Sequence, residues 1–347
     1  MRLSIAIMAG LLLSLSPANA ARPAVHQFSS LQSAVDWVNG YRVKRDLAGV
    51  PAAIRALSYH GAFKEPEAAG VYVGFIAGII GAHPAKADAL IGRMLPVQVE
   101  DQWVIVRAIA YSGAPEWKEL LRRFSARLPA RQVMIERYLD GTLPTLVQLT
   151  IKPSPTTLER VRDAFTITLP GESKDKKQVL EPTQTLLDTL WGYYLASGSY
   201  GPVLRIVELL PWSKDRDNAD KLTIGSMAKY TLAMNAARDG ELLAMLKTIR
   251  NSKHQKKNIA ALLDDVINAA ETADAGRLRK DALAAIEQLK AKGPAYKREV
   301  STWAKVGQGA LAVGCVVAAA TGHIELGLPC VIGGGTTNAA MYYMNDN

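Results

Sequence analysis

Apolar residues recur every three or four positions along almost the whole chain after Leu31, and strict alternation of apolar and polar residues is nearly absent. A three- to four-residue spacing places apolar side chains on one face of an α-helix, whereas alternation is typical of strands. Each helix must cover its apolar face with another helix. We therefore predict an all-α fold of antiparallel helical hairpins that stack as an α-solenoid-like array.

Prolines and capping residues predict where the helices begin. Ser29 and Gln32 stand at the spacing of a capping box before a first helix that carries Val35 and Val38 on one face. Prolines that each precede a run of helix formers are Pro51, Pro66, Pro84, Pro115, Pro129, Pro202 and Pro294. The later helices are predicted at roughly 51–60, 66–82, 84–94, 99–112, 116–127, 130–140, 156–167, 183–197, 202–210, 219–237, 240–250, 255–271 and 276–291.

Four junctions between these helices look alike, with small residues and a tight turn before the next helix, at Gly81, Gly113, Gly198 and Gly240. The intervals are 32, 85 and 42 residues, so the period is about 32–43 if the middle interval holds two units. Residues 30–292 resemble the broad class of tetratricopeptide-like and HEAT-like α-solenoids. The nearest approach to the tetratricopeptide hallmark, residues 191–194, has the wrong spacing, so the resemblance implies architecture and no functional residue.

The first twenty residues have the order of a secretory signal peptide. Arg2 is followed by an apolar run to Leu15 and then by Ala18-Asn19-Ala20. We predict cleavage near Ala21 and export to the periplasm or the medium of a bacterium. Of the 41 Lys and Arg residues only Arg2 is lost, so 40 remain against 32 Asp and Glu, a net charge of +8.

The basic residues of the mature chain lie in short separate clusters, at 174–177, 253–257 and 277–280. Solvated helix faces explain such clusters, and an anion-binding stripe is the alternative. We expect another envelope protein as the partner and no nucleic acid. Membrane contact through residues 307–335 stays open, and the oligomeric state is not predicted.

Composition divides the chain into five segments. They are a signal peptide (1–20), an N-terminal helical-hairpin region (21–152), a linker with one helix (153–182), a C-terminal helical-hairpin region (183–300) and a Gly/Ala-rich tail hairpin (301–347). Proline, glycine and alternating charge mark the linker. Residues 146–151 have strand propensity, but the stretch is short and we predict helix there.

The apolar tail carries small residues every four positions, a smooth stripe on which another helix can pack: Ala310, Gly314, Ala318 and Gly322. In an exported protein Cys315 and Cys330 can form a disulfide, which would stabilise the fold by about 3 kcal/mol, or they can stay buried thiols. The apolar run is shorter than the ~20 residues that cross a bilayer, and His323 and Glu325 interrupt it. We predict a compact hairpin, with membrane insertion as the alternative.

The sequence predicts no catalytic, cofactor-binding or metal site. The histidines are scattered singly, and no phosphate loop or nucleophile elbow is present. The catalytic domain of lytic transglycosylases carries a Glu-Ser pair, and Glu172-Ser173 has the same dipeptide, yet it lies in the predicted linker without an apolar wall to raise the pKa of the carboxyl group. Asp264-Asp265 is predicted on the wet face of a helix.

Aromatic residues form two groups that core packing or a ligand groove explains equally well, namely Trp37 with Tyr41 and Trp191 with Tyr194 and Tyr200. Core packing is the prediction. Together these features predict a non-enzymatic helical-repeat protein that mediates protein–protein interaction or scaffolding in the cell envelope. The alternatives are an enzyme acting on peptidoglycan or glycan and a tail-anchored membrane-associated protein.

Overall fold

The computed structural model describes residues 28–151, 179–253 and 255–272, together with Arg277, Lys280, Asp281 and Ala284. Helical residues make up 72% of this part of the chain, which contains no strand. The prediction of an all-α fold is therefore confirmed for these residues. The predicted signal peptide, most of the linker and the tail with both cysteines and the small-residue stripe lie outside them.

The described ranges contain twelve α-helices. They are α1 (Leu31–Lys44), α2 (Val50–Tyr59), α3 (Gly70–Ala82), α4 (Ala87–Met94), α5 (Gln102–Tyr111), α6 (Trp117–Ser125), α7 (Gln132–Leu139), α8 (Gln184–Ser197), α9 (Tyr200–Glu208), α10 (Ala219–Ala236), α11 (Gly240–Arg250) and α12 (Lys257–Glu271). The first and last residues of each helix agree with those of a predicted helix to within a few residues.

The capping box of α1 is one residue later than predicted. Ser30 has extended backbone angles (φ −149°, ψ 162°), and its hydroxyl accepts a hydrogen bond from the Ser33 amide at 3.1 Å. The Ser33 hydroxyl accepts in turn from the Ser30 amide at 3.2 Å. Gln32, the predicted partner, instead donates at 2.7 Å to the carboxylate of Asp36, which lies four residues later on the same face of the helix.

Tight 3-10 turns occupy the first residues of three predicted helices, at Pro84–Lys86, Val99–Asp101 and Pro129–Arg131. Proline fixes φ for such a turn and needs no hydrogen-bond acceptor there. The helix predicted from Pro66 begins only at Gly70, because residues 61–68 form turns in which Gly61 has a φ of +79°.

The helix prediction for residues 146–151 is wrong beyond Gln148. Residues 146–148 form one 3-10 turn, and Leu149 then pairs with Leu180 in an isolated parallel bridge. The Thr150 amide donates to the Leu180 carbonyl at 3.1 Å, and the Leu180 amide donates to the Gln148 carbonyl at 3.2 Å. The strand propensity of this stretch is thus expressed in a bridge to residues beyond the predicted linker helix.

The most extensive contact between helices joins α3 to α8, which are distant in sequence. Glycines make this approach close. A Cβ added at Gly74 would lie 1.9 Å from the Thr189 carbonyl oxygen, and one added at Gly192 would lie 1.9 Å from the Val71 carbonyl oxygen. Because any side chain at these positions would meet backbone, the two helices pack with their backbones almost in contact.

The two helices run in parallel. Contacts along the interface advance in the same direction on both, pairing in order Gly70 with Thr185, Gly74 with Thr189 and Gly78 with Tyr193. The N-termini of α3 and α8 therefore lie side by side at one end of the pair.

Two hydrophobic clusters meet at this pair, one containing buried residues of α3 and the other buried residues of α8. One is built from residues between 28 and 138, and the other from residues between 149 and 270. Helix α8 contributes to both, since Trp191 and Tyr194 belong to the second cluster while Tyr193 and Leu195 pack against the first. The proposed domain boundaries stay a prediction.

The four junction glycines differ in backbone role. Gly113 and Gly198 have positive φ values of +65° and +68°, so they form the expected turns. Gly81 lies within α3, where an added Cβ would be 2.4 Å from the Ser112 carbonyl oxygen. Gly240 opens α11. The likeness of these junctions in sequence does not extend to their geometry, and stacking as a solenoid stays a prediction.

Candidate functional site

The aromatic residues singled out in the sequence are mostly part of the core. The Trp37 and Tyr41 rings lie 5.5 Å apart, and Tyr41 is buried. Trp191 and Tyr194 are also buried, with ring centroids 6.0 Å apart. Only Tyr200 of the five is substantially exposed, at 48%. Core packing is thus confirmed for the first four residues.

The paired aspartates of α12 each face a cation. Asp264 accepts from Arg250 at 2.7 Å on the surface, which agrees with the predicted wet face. Asp265 accepts at 2.7 Å from the ammonium group of Lys229, a residue that is only 8% exposed. Within the described ranges no group of three or more His, Cys, Asp or Glu side chains could hold a metal ion.

An ionic cluster ties α1 and α8 to α11. The Arg42 Nε donates to the Asp239 carboxylate at 3.2 Å, and the Tyr194 hydroxyl donates to the same oxygen at 2.7 Å. The other Asp239 oxygen accepts from the amides of Glu241 and Leu242 at 3.0 and 3.1 Å and so caps α11. The Arg42 guanidinium also lies over the Tyr194 ring at 4.7 Å.

The electrostatics of this cluster keep Asp239 ionised. Partial burial raises the pKa of Asp239, but hydrogen bonds from Tyr194, Leu242 and Arg42 outweigh it, and the net pKa is below its ordinary value. Burial, with Asp239 beside it, raises the pKa of the Tyr194 hydroxyl, which therefore stays protonated and donates. The Arg42 guanidinium and the Asp239 carboxylate are each held by hydrogen bonds within the cluster, which joins the three helices.

A cavity of about 340 Å³ lies at the end of the pair where the N-termini of α3 and α8 meet. Its walls come from the start of α3 and the turn before it, from α5, and from the start of α8 with the residues preceding it. The lining residues are Pro66, Glu67, Gly70, Val73, Arg107, Tyr111, Leu180, Glu181, Thr183, Thr185, Leu186 and Thr189. This volume is at the lower end of the range of small-molecule sites, about 300–1,000 Å³.

Arg107 is the cation of this cavity among its described lining residues. Its guanidinium lies over the Trp103 ring at 4.8 Å, and its charge lowers the pKa of Tyr138 against the larger effect of burial. Its Nε atom is buried and has no hydrogen-bond partner in the described part of the chain. Burial, with Tyr138 nearby, raises the pKa of Tyr111, which lines the cavity, so this hydroxyl is neutral.

The rim of the cavity is acidic and hydroxylated. Glu67 and Glu181 are both exposed. The Thr185 hydroxyl donates to the Glu67 carbonyl at 3.1 Å, and the Thr183 hydroxyl caps α8 by accepting from the Leu186 amide at 3.1 Å. Because helix N-termini carry partial positive charge, α3 and α8 add to the field of Arg107 on the inner side.

The sequence did not single out this cavity. One available signal was Arg107 itself, a lone cation within the otherwise apolar run Val104–Tyr111. A second was the four-residue spacing of Gly70, Gly74 and Gly78, the same pattern that was noted in the tail. No motif signals the rim glutamates, because Glu67 lies in the turn before α3 and Glu181 in the segment before α8, and only the α3–α8 contact brings them together.

Comparison with known proteins leaves the family of the chain open. No protein-family model matches it, and no curated protein or solved structure matches it. A search of the described helices finds none that is both long and apolar enough to cross a membrane.

Proposed function

We propose that this chain is an exported protein of the bacterial cell envelope that binds another protein as a scaffold, without catalysing a reaction. Export is supported by the order of charged, apolar and small residues in positions 1–20. The scaffold role is supported by how the buried polar groups are used. We also propose that the helices on either side of the α3–α8 pair stack as hairpins.

Polar side chains that are buried or half-buried tie distant helices together, and this observation carries the proposal. The Trp191 indole donates to the Thr231 hydroxyl at 3.0 Å, which joins α8 to α10. The Tyr193 hydroxyl donates to the Ser112 carbonyl at 2.7 Å and joins α8 to the end of α5. Together with the Arg42 cluster, these bonds fix the helices relative to one another. A rigid helical body of this kind presents a constant surface to a partner.

Helix α9 is the surface best suited to a partner. Its inner face buries Val203, Ile206 and Val207. Its outer face exposes Tyr200 and Leu204, which are 48% and 42% accessible and stand four residues apart, hence on one side of the helix. Aromatic and aliphatic side chains that remain exposed together on a packed helix are typical anchors for a partner with an apolar groove.

Affinity capture from envelope extracts tests the proposal. The purified chain, the double variant Tyr200→Glu/Leu204→Glu and the control Val133→Glu serve as baits. Val133 is also exposed, at 70%, but lies on α7. We expect one specific protein to be retained by the wild type and the control and lost by the double variant. Retention of no specific protein, or equal retention by all three baits, would contradict the proposal.

A further inference from the structure

The cavity at the N-terminal end of the α3–α8 pair holds a cation on its inner side. Arg107 lines the cavity and its guanidinium stacks on Trp103, and none of the ion pairs among the described residues involves it. Arginine presents its N–H groups as a planar fork that matches a carboxylate.

The other charges of the cavity are of opposite sign and lie farther out. Glu67 and Glu181 are exposed at the rim, whereas Arg107 on α5 is half-buried. The two carboxylates at the entrance would repel a simple anion there. A ligand that carries a carboxylate at one end and an ammonium group at the other matches both regions.

The volume of the cavity and its uncharged lining residues restrict the class of ligand that it can bind. A volume of about 340 Å³ admits only a small molecule. Val73 and Leu186 offer apolar contact, and the neutral Tyr111 hydroxyl offers a hydrogen-bond group. We propose that this cavity binds a small zwitterion, a free amino acid or a dipeptide, with its carboxylate on Arg107 and its ammonium group between Glu67 and Glu181. This site is separate from the α9 surface and does not depend on the proposed scaffold role.

Isothermal titration calorimetry of the purified chain tests the assignment with four probes. They are alanine, alanyl-alanine, N-acetyl-alanyl-alanine and alanyl-alanine amide. Alanine and alanyl-alanine distinguish a free amino acid from a dipeptide as the source of the zwitterion. We expect at least one of them to bind, and expect blocking either end of the dipeptide to weaken its binding at least tenfold if the dipeptide is the ligand.

Variants locate the two ends of the ligand. Arg107→Gln is expected to weaken the zwitterion at least tenfold while leaving the amide unchanged, a difference that a general loss of structure would not produce. The matched control Arg137→Gln changes an exposed arginine of α7 and should alter affinity less than twofold. The double variant Glu67→Gln/Glu181→Gln, made at exposed positions, should remove the preference for a free ammonium group.

The following outcomes would overturn the proposal. One is the absence of binding heat with alanine and alanyl-alanine up to 10 mM. Another is equal affinity for the free and blocked dipeptides. A third is an affinity that Arg107→Gln and Arg137→Gln reduce equally, since the carboxylate would then not lie on Arg107.

Discussion

Gly74→Ala tests the close contact of α3 and α8 at its tightest point. The added Cβ would lie 1.9 Å from the Thr189 carbonyl oxygen, whereas ordinary contacts of this kind begin at 3.4 Å. The helices must therefore separate by about 1.5 Å, and the obstacle is backbone that cannot rotate away. Overpacking of a core costs about 1–3 kcal/mol and at times more. Here the upper end applies, because both helices are buried.

Helix propensity acts in the opposite direction, since alanine is favoured over glycine within a helix by about 1 kcal/mol. The net expectation is a loss of about 2 kcal/mol in the free energy of unfolding. At an unfolding entropy of about 2.1 cal/mol/K per residue, this corresponds for the 347-residue chain to a fall in Tm of roughly 3 °C. Thermal and urea unfolding followed by circular dichroism at 222 nm measures both quantities.

Gly40→Ala is the matched control for this prediction. Gly40 lies within α1, and a Cβ added there has no heavy atom within 4 Å. Only the propensity term remains, so this variant should be more stable than the wild type by up to about 1 kcal/mol. If Gly74→Ala shifts stability in the same direction as Gly40→Ala, the close packing of α3 on α8 is refuted.

Three further predictions test the polar contacts, and the second includes a control variant. The pKa of Asp239 is depressed in the folded chain, so its contribution to the free energy of unfolding is present above the ordinary value of 3.8 and lost as the pH falls through the folded value. The Asp239→Asn variant should therefore lose less stability than the wild type between pH 6 and pH 3 in urea titrations. An equal loss in both proteins would contradict the depressed pKa. Asp265→Ala leaves Lys229 buried and should cost about 2 kcal/mol, a figure reduced because Asp265 is 42% exposed. Its neighbour variant Asp264→Ala should cost under about 0.5 kcal/mol by the same denaturation assay, and equal costs would argue against the buried ammonium group. Thr231→Val removes the acceptor of the Trp191 indole and should cost about 1–3 kcal/mol, whereas an unchanged midpoint would mean that this bond is not formed.

Helices were predictable because their signals are local. The spacing of apolar residues and the positions of prolines depend on neighbours within about four residues, and the structure agrees with them to within a turn. One of the two errors is local and the other is not. Ser29 and Ser30 both have capping chemistry, and the sequence does not say which one takes the extended conformation. At residues 146–151 the partner that decides the conformation, Leu180, lies beyond the predicted linker helix.

The arrangement of the helices depends on contacts between distant parts of the chain. Gly74 and Gly192 are ordinary glycines in their own segments, and only the packing of Gly74 on Thr189 and of Gly192 on Val71 explains why each lacks a side chain. The cavity follows from that meeting, because Glu67 and Glu181 come together only when α3 and α8 pack in parallel. Arg107 could have been noticed as a lone charge in an apolar helix, but its role depends on the same contact.

The central claim is that α3 and α8 pack side by side and in parallel. Electron–electron double resonance on a chain with Cys315 and Cys330 replaced by serine measures it directly, with spin labels at Glu67 and either Glu181 or Ser199. All three labelled positions are exposed. Helix α8 spans 14 residues, or about 21 Å, so parallel packing predicts a short Glu67–Glu181 distance, below about 20 Å, and a clearly longer Glu67–Ser199 distance. A Glu67–Ser199 distance equal to or shorter than the Glu67–Glu181 distance would contradict the account.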